Sequence, residues 1–180
     1  GGIPWEMHVQ ACPEELRPHL VACPRVPWHR RRHLQDVSLR LILSNLVGSE
    51  IYLSGELSHQ RLSFPTRHIV RVYVSPHNGA AAVDVLRVVQ EEAAGAGGGS
   101  EVLAVTDLDA ANAFLLHLAS PQIFQEAEGE ALAADVASAL QRSDLKFVLV
   151  HEFRQHASGD AGMAAAVVPA AADARTGGGI

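Results

Sequence analysis

The sequence predicts an α/β fold in which a mostly parallel sheet of four to five strands is flanked by helices. Three observations between residues 67 and 154 predict it: short apolar runs have the length of strands, segments between them have helical spacing, and turn-forming residues separate the two. Strands that mostly alternate with helices pair through right-handed crossovers, which makes the sheet parallel and covers its faces. We therefore assign residues 67–154 to an α/β core.

The size and composition of the chain set the scale of that core. The chain has 180 residues, the length of about one ordinary domain. Apolar residues make up 48% of it but aromatic residues only 5%. We therefore expect one modest core built from aliphatic side chains.

Charge is distributed unevenly along the chain, whose formal net charge is −6. Residues 1–35 contain five Arg and three Glu, whereas residues 36–180 contain nine basic and 17 acidic side chains. An acidic body repels phosphates, which argues against a nucleic-acid partner. We interpret the basic run at residues 29–33 as a solvated linker; contact with a phosphate, an anionic lipid surface or an acidic partner is the alternative.

Residues 1–35 are predicted to form an extended arm. Five prolines within the first 27 residues exclude a long helix, because each removes an amide donor and restricts the preceding residue. Trp5 and Trp28 are candidates to anchor this arm on the body or on a neighbouring domain. Cys12 and Cys23 are too few for a disulfide framework and match no common zinc spacing, so we predict no metal site and a reducing, cytoplasmic location.

Residues 36–66 are predicted to pack on the core as a helix or a strand followed by a hairpin. Apolar residues between 37 and 47 fit both a period of two and a helical face. Asp36 as an N-cap and Gly48 as a C-terminal stop favour the helix. Two short strands then follow around a turn at Ser58 and His59; they are predicted at residues 50–57 and 60–64.

The core itself is predicted to contain four strands and two helices. The first strand, at residues 68–74, is β-branched, and apolar residues at helical spacing follow it. A glycine stretch at 95–99 ends that helix. The predicted elements are strands at 68–74, 101–105, 114–118 and 146–150 and helices at 80–94 and 126–142. Residues 155–180 are rich in Ala and Gly and are predicted to form a tail.

Polar side chains follow all four predicted strands. Ligands of an open parallel sheet bind outside the carboxyl ends of its strands, where loops converge and helix N-termini present free amides. For three of these residues, Ser75, Asn78 and Ser120, capping of a turn or helix is the first interpretation. The predicted ligand-binding residues are Ser75, His77, Asn78, Asp107, Ser120 and Glu152, and Thr106, Gln122 and His151 are further strand-end candidates.

Acidic residues open the second predicted helix, with Glu126, Glu128 and Glu130 in its first turns. Negative charge at a helix N-terminus stabilises the helix, which accounts for the cluster without any chemistry. A catalytic role needs one of these acids, best Glu130, to face the strand-end cleft with a raised pKa or a hydrogen bond to a sugar hydroxyl. Serine-hydrolase chemistry is disfavoured, because the chain has no Gly-x-Ser-x-Gly elbow.

Three fragments carry a resemblance to a known family. They are Val72–Ser75, Glu101–Asp107, and Phe114–Phe124 with the acidic helix and residues 146–150 after it. Together they resemble the TIR domain family, flavodoxin-like α/β signalling modules, some of which cleave NAD. The resemblance implies a flavodoxin-like three-layer architecture, and it makes Glu130 the counterpart of the catalytic Glu of the NAD-cleaving members.

The chain departs from that family at three places. Only Leu108 to Ala113 separate the second and third predicted strands, which leaves no room for the loop and helix that the family uses for self-association and for gating its nucleotide site. The Trp-Cys pair usual before the catalytic Glu is absent, and an Ala/Gly tail follows Glu152 where the family has a last helix, strand and helix. The departures favour binding over catalysis.

The sequence therefore predicts a non-catalytic protein-interaction or signalling module of a larger intracellular or membrane-anchored protein. Its expected partners are other protein domains, self-association included, and no cofactor is expected. The alternative is a nucleotide-binding or NAD-cleaving hydrolase that uses Glu130 near Ser75, Asn78 and Asp107. Residues 1–10 lack the features of a signal peptide, and no run approaches the roughly 18 apolar residues of a membrane span.

Overall fold

The computed structural model describes residues 4–29, 32–49, 51–54, 61–64, 66–96 and 99–153. Within these ranges the chain forms a five-stranded sheet, a two-stranded sheet and helices on both faces of the larger one. In chain order the elements are α1 (Trp5–Ala11), α2 (Arg17–Ala22), β1 (Arg25–His29), α3 (Arg32–Val47), β2 (Tyr52–Ser54), β3 (Arg61–Ser63), β4 (Ile69–Tyr73), α4 (Ala80–Gly95), β5 (Glu101–Val105), β6 (Ala113–Leu118), α5 (Gly129–Leu140) and β7 (Lys146–Phe153), with 3₁₀ turns at Pro76–Asn78 and Ile123–Gln125.

The main sheet is parallel throughout, with its strands in the order β1-β7-β6-β4-β5. The predicted α/β class is confirmed, and the architecture is a flavodoxin-like three-layer fold. Counted from β4, the strands lie in the order second, first, third and fourth, as in flavodoxin-like sheets. The fifth place, beside β7, is taken by β1 from the N-terminal part of the chain.

The prediction of an extended arm over residues 1–35 is wrong, because the described part of this segment folds into α1, α2 and β1. The prolines limit the helices to seven and six residues but lie where proline is tolerated. Pro4 precedes α1, and Pro18 lies in the first turn of α2. Pro27 lies in β1, an edge strand that pairs on one side only. Buried Leu20 then holds α2 against the sheet.

The tryptophans and cysteines of this N-terminal segment pack against the sheet. Trp28 is buried in the core, and Trp5 packs partly buried on the opposite face, so both act as the predicted anchors. Cys12 and Cys23 are free thiols. Burial raises the pKa of the Cys12 thiol to about 12, which makes it an unreactive core side chain.

Residues 36–66 contain the predicted helix and an antiparallel strand pair. The helix α3 begins at Arg32, so Asp36 lies inside it and does not cap it. Gly48 ends the helix as predicted, with a φ of +75° and its N–H donated to the carbonyl of Ser44. Lys146 Nζ donates to the last two carbonyls of α3, which ties the helix to β7. β2 pairs with β3, and the predicted turn lies outside the described residues.

The predicted core elements are confirmed, with changes at three ends. β4, α4, β5 and β6 begin and end within one residue of their predicted bounds. α5 is shorter than predicted, because residues 126–128 form a bend and a turn after the 3₁₀ turn and the helix ends at Leu140. β7 is longer than predicted, because β1 pairs with it as far as His29 and Phe153. His151 and Glu152 therefore lie inside a strand, which corrects the expectation that they follow one.

Apolar side chains on the two faces of the sheet form two core clusters. One cluster lies under α3 and α4 and includes Val72, Leu115 and Val150. The other lies under α1, α2 and α5 and includes Phe114 and Leu116. We call these faces the α3/α4 face and the α5 face. Within the described residues, no helix is long and apolar enough to cross a membrane, in line with the prediction.

Part of the α5 face carries no helix. Residues 106–112, all of them described, join β5 to β6 without a helix. This short connection is one of the places where the sequence departs from the TIR family pattern. Because it contains no helix, an area over β4 and β5 is exposed. Four side chains of these strands make up this area, which we call the open face: Ile69, Arg71, Glu101 and Leu103.

Candidate functional site

The predicted site residues lie near the carboxyl edge of the main sheet but are divided between its two faces. Ser75 and His77 follow β4 and contact α5 or the residues just before it. Glu152 lies on the α3/α4 face, because it continues the alternation that places Val148 and Val150 there. The sequence pattern therefore placed these residues at the correct edge of the sheet but did not predict the face on which each of them lies.

Ser75 is tied into a hydrogen-bond network on the α5 face. Its Oγ donates to Asp135 Oδ2 at 2.7 Å and accepts the N–H of His77 at 3.1 Å. Tyr73 Oη donates to the same Asp135 oxygen at 3.2 Å. Burial and the neighbouring Asp135 carboxylate raise the pKa of Tyr73, so its hydroxyl stays protonated at neutral pH. The network joins the end of β4 to α5, and Ser75 is 1% exposed.

The acids near the start of α5 differ in what they contact. Glu128 precedes the helix, and its Oε2 lies 2.8 Å from His77 Nδ1. Glu130, the predicted catalytic residue, is exposed in the first turn. Among the described residues, no hydrogen bond or ion pair joins Glu130 to Ser75, Asn78 or Asp107. Its catalytic role stays a prediction, while Glu128 and Asp135 are the acids that meet strand-end residues.

Asn78 holds the end of β6. Its Nδ2 donates to the carbonyl of His117 at 2.9 Å, and its Oδ1 accepts the N–H of His117 at 2.8 Å. The direct pairing of β4 with β6 covers only the residues opposite Val72 and Tyr73. Asn78 therefore extends the join between the two strands beyond their ladder, and its buried amide supports the fold as the capping interpretation anticipates.

Asp107 and Ser120 fix the turns that they begin. Asp107 Oδ1 accepts the N–H of Asp109 at 3.0 Å, and Ser120 Oγ accepts the N–H of Gln122 at 3.1 Å. Both are side-chain turns of the kind favoured by Asp and Ser. Ser120 and Gln122 also border a shallow depression against α1. A ligand role for either residue stays a prediction.

A cavity of about 370 Å³ opens on the α3/α4 face at the carboxyl edge, and we call it the α3/α4 pocket. Two buried polar side chains lie in its wall: His117 is 1% exposed and Glu152 is 3% exposed, and 3.7 Å separates His117 Nε2 from Glu152 Oε1. Helix α4 and the start of α3 form its sides. The described lining residues are Trp28, Gln35, Ala81, Asp84, Val85, Arg87, Val88, His117 and Glu152.

The α3/α4 pocket contains one of the predicted ligand residues, Glu152, and several that sequence reasoning missed. His117 is a polar residue within the apolar run of β6, and such an interruption is a signal that was available in the sequence. Asp84 and Arg87 had no such signal, because charged residues on an exposed helix face are ordinary. They line the pocket because this side of α4 faces the strand ends, and the sequence does not show which side of the helix does so.

Two histidines lie together on the opposite face. His8 and His151 have ring centroids 6.3 Å apart, and Trp5 lies within 6.2 Å of both. Arg25 lies over the Trp5 ring, with its guanidinium 4.7 Å from the ring centroid. Burial lowers the pKa of both histidines, and the neighbouring His151 lowers that of His8 further. Across the described residues, no cluster of three or more His, Cys, Asp and Glu could hold a metal ion.

Comparison of the chain with protein-family models, with curated proteins and with solved structures finds no match. The family suggested by the three sequence fragments therefore stays a prediction.

Proposed function

We propose that this chain is a non-catalytic protein-interaction module that associates with a second copy of itself through the open face. The observation that carries the proposal is the exposure of two aliphatic side chains on a sheet surface that no described helix covers. Ile69 is 51% exposed and Leu103 is 43% exposed. Sheets in three-layer folds normally have both faces covered, so an uncovered part is available for a partner.

The open face is held by a well-fixed connection. Asn112 donates its backbone N–H to the carbonyl of Arg71 at 2.9 Å and accepts the N–H of Arg71 at 2.8 Å. Arg142 donates to the carbonyls of Leu108 and Ala111 and so ties the connection to the end of α5. The short crossover is therefore an ordered part of the fold, which supports a permanent surface at this position.

The arrangement of the four side chains favours a second copy as the partner. Ile69 lies opposite Glu101, and Arg71 lies opposite Leu103. The aliphatic residues thus occupy one diagonal of a square and the charged residues the other. When two squares stack about a two-fold axis along the aliphatic diagonal, each Arg71 meets Glu101 of the other copy. Such a contact is self-complementary, as a two-fold dimer requires.

The expected association is weak. Covering the exposed halves of Ile69 and Leu103 contributes roughly 1 kcal/mol each. Exposed ion pairs add little affinity but select the orientation, and Glu101 already pairs with Arg67 at 3.1 Å in its own chain. The dimer is therefore expected only at protein concentrations of about 1 mM or more.

Sedimentation velocity over a range of concentrations tests the proposal. Wild type should shift toward a dimer, and Ile69→Asp should abolish the shift. Val83→Asp is the matched control, because Val83 is 57% exposed but lies on α4. Arg71→Glu should weaken the dimer, and the double variant R71E/E101R should restore it. A monomer at every concentration, or an equal effect of Val83→Asp, would contradict the proposal.

NAD cleavage by Glu130 is the alternative function, and it has less support. The strand-end side chains that it would need are bonded within the fold: Ser75 to Asp135, and Asn78 to the backbone of His117. Concentrated protein should release no nicotinamide from NAD. Release that disappears in Glu130→Ala would establish the hydrolase in place of the module.

A further inference from the structure

We propose that α1 is an acid-sensitive strap that leaves the sheet when His8 and His151 become protonated. The observation that carries the inference is the proximity of these two rings, one on α1 and one on β7, whose centroids lie 6.3 Å apart. The inference is independent of the proposed self-association, because α1 lies beside β7 and β1, whereas the open face lies over β4 and β5 at the other end of the sheet.

Helix α1 is attached to the body by few side chains. It has seven residues, and its one buried side chain is His8, which is 2% exposed. Trp5 packs partly buried beside it. An isolated helix of this length is unstable in water, so α1 depends on its contacts with the body. Those contacts come mainly from one ionisable side chain and one aromatic ring.

The chain is anchored again directly after α1. Cys12 and Leu16 are buried in the apolar cluster of the α5 face. Arg17 Nε donates to the carbonyl of Cys12 at 2.9 Å, which fixes the connection to α2. Release of α1 can therefore stop at Cys12 and leave the sheet and α2 intact.

The docked position of α1 gives little stabilisation to a charged imidazole. Both ring nitrogens of His8 and the Nδ1 atom of His151 are buried and form no hydrogen bond among the described residues. The backbone of Ser120 favours the protonated form of His8, and the backbone of Glu152 favours that of His151. Burial is the larger effect, and it lowers the pKa of both rings. Protonation therefore costs free energy while α1 is docked.

The described charged groups on the strands below the pair also oppose its protonation. Arg25 and His29 of β1 lower the pKa of His151, and His151 in turn lowers the pKa of His8. Glu152, the acid next to His151 in β7, lies on the other face of the sheet in the wall of the α3/α4 pocket. Two positive charges on the pair would therefore repel each other and Arg25.

The other elements near the pair present no acid to it within the described residues. Residues 120–125 contain no ionisable side chain. On α2, Arg17 donates to backbone carbonyls and His19 is exposed. The acids among residues 4–22 are exposed and do not shift the pKa of either histidine. They are Glu6, Glu14 and Glu15. The charged pair is therefore more stable in water than in the docked position.

The direction of the pH effect follows from the two states of α1. The pKa of each histidine is lowered while α1 is docked, whereas the ordinary value of 6.5 applies after release. The released state therefore binds more protons as pH falls below 6.5, and its population rises. At one pH unit below that value, a histidine that ionises only after release favours release about tenfold, and two such histidines favour it up to about a hundredfold.

Amide hydrogen exchange of the full chain, followed residue by residue by NMR, tests the inference. Protection factors correct for the intrinsic dependence of exchange on pH, so they report the opening of each element. The amides of Val9 to Ala11 in α1 should be protected at about pH 7.5, but less than those of Leu115 and Leu116 in β6. Between about pH 7.5 and about pH 5.5, the protection of α1 should fall about tenfold or more.

Variants of the two histidines separate titration from packing. His8→Leu keeps a buried apolar side chain on α1 and should make the fall in protection at least about threefold smaller. His151→Gln should have the same effect and leaves α1 itself unchanged, so it covers the case in which His8→Leu disturbs docking. His19→Gln is the matched control, because His19 is exposed on α2, and it should leave the fall unchanged.

Four results would overturn the inference. If α1 amides exchange no faster than β6 amides, α1 opens only together with the whole fold. If they are unprotected at about pH 7.5, the helix is not docked. Equal protection of α1 at the two pH values would show that protonation does not release it. A fall that both histidine variants leave unchanged, or that His19→Gln reduces as strongly, would exclude the pair as its cause.

Discussion

At the carboxyl edge of the main sheet, the polar side chains of the two faces have different surroundings. On the α5 face, Tyr73 and Ser75 both donate to Asp135, so the polar groups bond to one another and join strand to helix. On the α3/α4 face, His117 and Glu152 line a cavity. Polar residues at the same edge of a sheet can therefore join strand to helix on one face and border a cavity on the other.

The largest expected loss of stability comes from crowding at the start of α5. A Cβ added at Gly129 would overlap the backbone carbonyl of Phe124. Gly129→Ala should therefore lower the free energy of unfolding by about 3 kcal/mol or more, measured by urea denaturation. Gly95→Ala is the control, because open space surrounds Gly95 at the end of α4. It should be neutral or stabilise by up to about 1 kcal/mol, and a similar loss in both variants would contradict the crowding.

Asn78→Ala is expected to rank second. It leaves the buried N–H and carbonyl of His117 without their side-chain partner, which should cost about 2–3 kcal/mol in urea denaturation. Asn45 also donates to a backbone carbonyl, that of Leu41, but does so on the exposed side of α3. Asn45→Ala should therefore change stability by less than about 0.5 kcal/mol. If the two substitutions cost the same, Asn78 is not holding the two strands together.

Replacing the shared acceptor of the α5 face should have a smaller effect. Asp135→Asn keeps one side-chain oxygen but removes the charge, so we expect a loss of about 1 kcal/mol. Loss of the charge should also lower the pKa of Tyr73, although burial, the larger cause, continues to raise it. Phenolate absorbance during an alkaline titration of the Tyr52→Phe background measures this pKa. An unchanged Tyr73 pKa would show that Asp135 does not act on the hydroxyl.

The smallest expected effect is a dependence of stability on pH from the His8 and His151 pair. Their pKa values are lowered in the folded chain from an ordinary value of 6.5, mainly by burial. The unfolded chain therefore binds more protons just below pH 6.5, and the free energy of unfolding falls as pH decreases through that value. His151→Gln should flatten this fall between about pH 7.5 and about pH 5.5.

Trp5→Phe is the control for the histidine pair, because it alters packing in the same cluster without removing a titrating group. It should lower stability equally at both pH values. A slope that His151→Gln leaves unchanged would assign the pH dependence to other groups.

Hydrophobic periodicity was sufficient to predict the core from β4 to β7, because strands and helices there are regular and separated by clear turn residues. It failed for the N-terminal segment, where five prolines suggested an extended arm. Proline is compatible with a helix start and with an edge strand, as Pro18 and Pro27 show. Whether a proline lies at a helix start or in an edge strand depends on which distant segments pair, and the local sequence pattern carries no information about that pairing.

The prediction of the candidate site was incomplete for a related reason. Polar residues after strands located the carboxyl edge, but assigning a residue to a face requires the true length of its strand. β7 continues through His151 and Glu152 because β1 pairs with it, so these neighbours point to opposite faces. Only the pairing of distant segments reveals that Glu152 shares a pocket with His117, whereas His151 meets His8.

The position of β1 at the edge of the sheet has a consequence for how the chain folds. Arg25 pairs with Leu149, so a segment that is synthesised before the core must wait for the last strand of that core. The intervening β4, β5 and β6 can assemble first, since their contacts span shorter loops. Long loop closure slows folding, and β7 has an unpaired edge until β1 arrives. Docking of the N-terminal segment is therefore expected to be the late, rate-limiting step of folding, and the interval in which the chain is most open to aggregation.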